Sequence, residues 1–195
     1  MARPAAKKAQ IEDAAVYLFA TKGVAETTIK DIAARAKVAE GALYRHYRGK
    51  NEMAWELFSR ELVRFSSSFE GVLFAEARSF RQRLREAVRF IYEYYRDHSV
   101  EFSFVLLTQH GFPEKKLRDE RHNPNDMAIR FVKEAMAAGE ARGGDGVLLA
   151  ALLMGAVLQP VVMHRYGRLK RHPRTMAKEV AAACEALLGA KAKRG

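Results

Sequence analysis

Thr27-Thr28-Ile29-Lys30-Asp31-Ile32-Ala33-Ala34-Arg35-Ala36-Lys37-Val38-Ala39-Glu40-Gly41-Ala42-Leu43-Tyr44-Arg45-His46-Tyr47-Arg48-Gly49-Lys50 reads as two short helices separated by a tight turn. Thr28 is a helix-capping residue. Asp31, three positions on, can reach back to it, a variant of the capping box. The helix they start, about residues 28–35, points Ile29, Ile32 and Ala33 one way. Ala36-Lys37-Val38 forms the turn, a further helix of about 39–47 follows, and Arg48-Gly49-Lys50 breaks it. Helices of about eight and nine residues around a three-residue turn have helix-turn-helix spacing.

That motif places its second helix in the major groove of DNA and crosses the backbone with its first. The residue types on the second helix agree. Leu43 and Tyr47 are four apart and can face a core, which leaves Gly41, Arg45 and Arg48 opposite, flanked by Ala42 and Tyr44. Arginine grips guanine O6/N7 or a phosphate with two donors. A tyrosine hydroxyl suits a phosphate oxygen, and glycine and alanine let the backbone come close to base edges. Glu40 either accepts from cytosine N4 or supports the first helical turn.

The charge is distributed accordingly. The 195 residues carry 34 Lys+Arg and 23 Asp+Glu, a formal net charge of +11. Residues 1–50 hold 10 basic and 5 acidic side chains, residues 51–163 hold 15 and 16, and residues 164–195 hold 9 and 2. A neutral middle between basic ends suits local contact with a polyanion. With 49% apolar and 29% charged residues the chain is not generally disordered, and its single cysteine, Cys184, excludes an internal disulfide. Before Glu12 and Asp13 the N-terminus has Arg3, Lys7 and Lys8 and no apolar run, so no secretory leader is expected. The run from Val147 to Met163 is interrupted by Gln159 and Pro160 and falls short of the ~20 residues of a membrane span. A buried helix, no membrane partner and a cytoplasmic location are expected.

Outward from the motif, helix dominates. There are 32 alanines and no sustained alternation of β-branched residues. Ile11, Ala14, Ala15, Leu18 and Phe19 stripe a first helix that Gly23 ends. Further helices are expected at about 51–69, 78–97, 99–110, 125–139, 146–166 and 174–189, with a charged loop at 111–123.

From Gly23 to Lys50 the chain resembles the DNA-binding signature of the tetracycline-repressor (TetR) family, a likeness that extends over about residues 8–55. The resemblance implies an all-α fold of about nine helices: a helix-turn-helix DNA-binding domain in residues 1–50, then an effector-binding and dimerising bundle in 51–195. It implies that Thr27, Thr28 and Lys30 contact DNA backbone, that Glu40, Gly41 and Ala42 approach bases, and that Tyr44, His46 and Lys50 hold phosphates. Arg45 joins them from its position on the outer face. Ala39 stands where the family often has a capping Ser or Thr. Tyr47 replaces the commoner Phe, a change expected to be neutral.

In the body, aromatic and Met residues suggest a pocket: Phe90, Tyr94, Phe104, Met127, Phe131, Met154 and Met163, with His98, His110 and Gln159 as polar anchors. Each of them alone also fits an ordinary core. The last two helices are apolar over wide arcs. Pairing with a second copy through Leu148, Leu152, Gly155, Val180, Ala183 and Leu187 would account for that. The basic stretch Arg165, Arg168, Lys170, Arg171 and Arg174 between those helices is expected to add phosphate attraction. Cys184 is expected to be a small buried hydrophobe.

There is no glycine-rich phosphate loop, nucleophile elbow or His-Glu-x-x-His, and no histidine pair four apart. No catalytic set, cofactor or metal is expected. The reading is a homodimeric repressor that binds a palindromic operator in double-stranded DNA and is released by an unknown small-molecule effector. Two alternatives stay open: a DNA-binding protein of this fold without an effector, and a small-molecule-binding helical enzyme.

Overall fold

The computed structural model describes residues 4–76, 78–107, 112 and 123–189. Among them it has nine α-helices and no strand. They are α1 (Pro4–Thr21), α2 (Ile29–Ala36), α3 (Glu40–Tyr44), α4 (Lys50–Leu73), α5 (Phe80–Asp97), α6 (Ser99–Phe102), α7 (Pro124–Ala137), α8 (Gly146–Arg165) and α9 (Ala177–Leu187). Two compact units result, one from residues 1–64 and 98–121, the other from 65–97 and 122–195.

The first unit packs around Ile11, Ala15, Phe19, Ile32, Leu43, Met53, Leu57 and Phe58, all essentially inaccessible. Gly23, at φ 93°, takes the left-handed conformation that closes α1. α6 continues as a wider π-turn, Ser103–Leu107, in place of the expected helix through residue 107; residues 108–110 lie outside the described set. Ser103 Oγ donates to Ser99 O (2.6 Å), and Phe104 meets Phe19 and Phe58 at 5.8 Å each. This packing joins residues 98–107 and the first half of α4 to the head, so the compact unit is larger than residues 1–50.

The second unit layers α5, α7, α8, α9 and the end of α4. Tyr92, fully buried, donates to Val157 O (3.0 Å), which meets the polar cost of burying a phenol. Phe80 stacks on Phe131 at 4.8 Å. Asn123, with Pro124 at the first position, starts α7, and Asp145 accepts from Val147 N (2.8 Å) and Leu148 N (3.2 Å) to start α8. α9 begins later than the sequence pattern suggests because Pro173–Met176 forms a tighter 3-10 turn, capped by His172. Cys184 is buried, which pushes its thiol up to about 11, the behaviour of an inert core residue.

α8 is long and apolar enough to cross a membrane by composition, with a third of its apolar window buried. Its inner face (Leu149, Leu153, Val157, Val161) belongs to the core. Its outer face exposes Val147 (49%), Leu148 (57%), Leu152 (45%) and Met163 (40%).

Candidate nucleic-acid interface

The geometry of the head begins at Thr28. Its hydroxyl accepts from Asp31 N (3.1 Å), and the Asp31 carboxylate accepts from Thr28 N (2.8 Å), closing the reciprocal box that the sequence suggests. Lys22 Nζ also reaches Asp31 at 2.7 Å. That ammonium, with the Thr28 donors behind it, holds the Asp31 carboxyl down to about 2.

The turn has one unusual residue. Lys37, at φ 55° and ψ 45°, is left-handed, and its amide donates to Ala33 O and Ala34 O. A residue with a Cβ gives up about 1 kcal/mol there relative to glycine. Ala39 caps α3 with no side-chain bond, so the helix does without a stabilisation of about 1 kcal/mol. The α-helical turns stop at Tyr44 instead of continuing to 47. The His46 and Tyr47 amides share the Leu43 carbonyl at 2.9 and 3.0 Å, which tightens the end.

Leu43 and Tyr47 point inward and are 1% and 3% exposed. Glu40, Gly41, Tyr44, Arg45, His46 and Arg48 are exposed, and Ala42 is half-buried. The side chains of Tyr44, Arg45, His46 and Arg48 have no partner among the described residues, so their hydrogen-bonding capacity points to solvent. Lys30 and Thr28 are exposed on α2 and its cap. Lys50 Nζ donates to Ala25 O (2.9 Å), which leaves two of its three N–H groups for another acceptor.

Two expectations are corrected. Thr27 is fully buried, and its hydroxyl donates to Gly23 O at 2.6 Å. It staples the α1–α2 loop and offers nothing to a DNA backbone. Tyr47 is not interchangeable with Phe: its hydroxyl donates to Glu12 Oε1 at 2.5 Å. Arg60 from α4 binds Glu12 Oε2 at 2.9 Å, and Lys8 lies 3.6 Å from Oε1. Burial works to raise the Glu12 pKa, but the Tyr47 and Arg60 hydrogen bonds outweigh it and keep the group ionised to lower pH than usual. Burial, with Glu12 beside it, pushes the Tyr47 phenol well up. The network ties the end of α3 to α1 and α4. An acid midway along α1 and a Tyr in place of Phe were its only signals in the sequence.

The residues expected to line a pocket are divided between the two units. Phe90, Tyr94, Met127, Phe131 and Met154 belong to the second unit, His98 and Phe104 to the first. Gln159 and Met163 are exposed on α8, and His110 lies outside the described residues. Within the second unit a cavity of about 20 Å³ is lined by Phe69, Leu84, Val88, Phe131, Met154 and Val157. Of the proposed pairing residues, Leu148, Leu152, Gly155 and Ala183 are exposed, and Val180 and Leu187 half-buried. In the basic stretch Arg171 is committed, donating to Glu179 (2.6 and 3.1 Å) and to Thr175 O. No cluster of three or more His, Cys, Asp or Glu side chains occurs among the described residues.

A short helix presenting free guanidiniums, a phenol and small residues, braced from behind by a capped helix, is a helix-turn-helix DNA-binding head. Residues 11–57 match the profile described as bacterial regulatory proteins, tetR family. The uncharacterized HTH-type transcriptional regulator YerO of Bacillus subtilis is 30% identical over 113 residues, 56% of this chain and 38% of that protein, so the chain spans well under half of that relative. The HTH-type transcriptional repressor KstR2 of Mycolicibacterium smegmatis is 26% identical over 154 residues, 72% of this chain and 70% of that one. The fold matches the transcriptional regulator FadR from Bacillus subtilis, solved in complex with stearoyl-CoA, with a TM-score of 0.75 at 20% identity over 95% of this chain and 100% of that one. Residues 11–57 thus carry a domain like the DNA-binding domain of the tetR family of bacterial regulatory proteins, and the chain as a whole has the fold of such regulators.

Proposed function

We propose that the chain is a cytoplasmic, homodimeric repressor that binds a palindromic operator and is released by a small molecule. The observation that carries this reading is the outer face of α3 and of the turn that follows it, where Tyr44, Arg45, His46 and Arg48 are exposed and without a side-chain partner among the described residues, beside Gly41 and Ala42. In this reading Arg45 reads a base edge, Glu40, Gly41 and Ala42 approach bases, and Thr28, Lys30, Tyr44, His46 and Lys50 hold phosphates. Residues 1–50 serve DNA and the rest serves pairing and effector binding. The exposed row Val147, Leu148, Leu152 on α8 supports pairing, since a contiguous apolar face of this kind is a common mark of an interface. Two heads of a symmetric dimer would then read half-sites about 34–36 Å apart.

For the effector, the wholly apolar lining of the small cavity in the second unit, and the acyl-CoA bound by the FadR neighbour, favour a molecule with a long apolar chain. Such a chain requires Met154 and its neighbours to move aside, because about 20 Å³ admits one water-sized body. Among the described residues this cavity is far below the ~300–1,000 Å³ of a ligand site, which keeps a regulator with no small-molecule effector as the second reading.

The test is repeated selection of random duplex DNA by the purified chain, followed by footprinting. A palindrome protected at two major grooves on one face supports the proposal. Equal retention of all sequences at moderate salt refutes it. Thermal unfolding with a series of acyl-CoA thioesters separates the two readings: a rise in midpoint supports an apolar effector, and no shift with any chain length favours a regulator without one.

A further inference from the structure

The α3 face is not the only cationic surface of the head. A groove of about 510 Å³ lies between α1 and the turn and is lined by Lys7, Gln10, Lys37, Ala42, Arg45 and His46 over a floor that includes Ile11 and Val38. No carboxylate among the described residues lines it. Asp13 borders the adjoining depression together with Arg35 and Lys37. Lys7 and Lys37 are exposed, and neither ammonium has a partner among the described residues. Lys37 is also the one non-glycine residue with positive φ among the described residues. A left-handed lysine contributes nothing to the fold that glycine would not provide at less strain. Backbone strain of this kind gathers where a side chain is wanted for function.

We infer that this groove is a phosphate-binding station of the DNA interface, formed by Lys7, Gln10 and Lys37 and continuous with Arg45 and His46. Its occupant is the duplex backbone beside the stretch read by α3. The inference rests on the DNA-binding reading above and extends the footprint beyond the positions implied by the family resemblance. Two ammonium groups on separate elements flank a concave, partly apolar floor. Bound phosphate there releases counterions, and each phosphate neutralised steepens the salt dependence of binding by about 0.9 in logarithmic slope. Gln10 adds an amide donor to the same oxygen atoms. These contacts carry no sequence information.

The experiment uses the full chain and a mixed-sequence duplex a few helical turns long, with affinity measured over a series of salt concentrations. The variants are Lys37→Gly, Lys7→Gln and, as a charge control in the other unit, Lys178→Gln. Lys37→Gly is expected to raise the thermal midpoint, because the strain is gone, and yet to weaken binding and flatten the slope by about 0.9. Lys7→Gln is expected to flatten it equally with the midpoint unchanged, and Lys178→Gln to leave it as it was. An unchanged slope in Lys37→Gly and Lys7→Gln overturns the inference, as does an equal loss in Lys178→Gln. A lowered midpoint in Lys37→Gly overturns it too, since Lys37 would then be holding the fold. If the parent chain retains no duplex at all, the DNA-binding reading itself has failed, an outcome distinct from all of these.

Discussion

Replacing Tyr47 with Phe removes one oxygen atom, and the structure gives that atom a definite value. The hydroxyl donates to an ionised carboxylate at 2.5 Å from a side chain that is 3% exposed. Hydrogen bonds to charged groups contribute about 1.5–3 kcal/mol. The lower end applies, because in Tyr47→Phe the Glu12 carboxylate keeps Arg60 at 2.9 Å and Lys8 at 3.6 Å and is not left unsatisfied. We expect a loss of about 1.5 kcal/mol, or a fall in thermal midpoint of about 3–6 °C for a chain of this size. Glu12→Gln should cost a similar amount, and the double variant should cost less than the sum, with a coupling of about 1 kcal/mol. Urea unfolding followed by circular dichroism measures all four corners. The pH dependence gives a second readout. Because the folded Glu12 pKa is depressed below its ordinary 4.5, its contribution is complete above that value and lost as pH falls through the folded pKa. The parent should therefore lose more stability than Tyr47→Phe between neutral pH and pH values below 4.5. A coupling under about 0.3 kcal/mol, the scatter of independent sites, would refute the brace.

Three further outcomes follow from the same geometry. Tyr44→Ala should weaken binding to every duplex alike, whereas Arg45→Ala should cost about 1–3 kcal/mol on the selected operator and little on scrambled DNA; competition binding distinguishes the two. Leu148→Glu combined with Leu152→Glu puts charge on the exposed α8 face and should shift the chain to monomer in sedimentation while leaving its helical circular dichroism intact; an unchanged sedimentation coefficient would count against pairing there. His172 caps the turn before α9 by accepting from Arg174 N (3.2 Å), which requires an unprotonated Nδ1. Burial lowers its pKa from 6.5, with His164, Arg174 and Arg96 adding to the effect, so its stabilisation is complete above 6.5 and lost as pH falls through the lowered value. His172→Asn keeps a capping acceptor and should remove that acid sensitivity in hydrogen exchange of the α9 amides.

Which of these sites a reader of the sequence could find depends on the range of the interaction. The Thr28–Asp31 box, the Leu43/Tyr47 inward pair and the exposed α3 face follow from helical periodicity within a few residues, and the structure has all of them. Thr27 escaped because the family resemblance alone placed it among the backbone contacts, and nothing in the neighbouring sequence shows its burial. Its burial is decided by the carbonyl of Gly23, which is available only because that glycine turns the chain back. The Glu12–Tyr47–Arg60 brace spans 35 and 48 residues of sequence, and periodicity carries no information at that range. The pocket reading depends on a longer range still. Aromatic and sulfur-bearing residues were grouped by chemistry, but the chain assigns Phe104 and His98 to one unit and Phe90, Phe131 and Met154 to the other, because α6 packs on α1. Lys37 marks the limit of pattern reading in the other direction. Its sequence position announces only a turn, and it is the backbone angle that makes a lysine there costly. A costly residue whose side chain has no partner among the described residues directs attention to what lies outside the fold, and the groove it borders is lined by Lys7, Arg45 and His46.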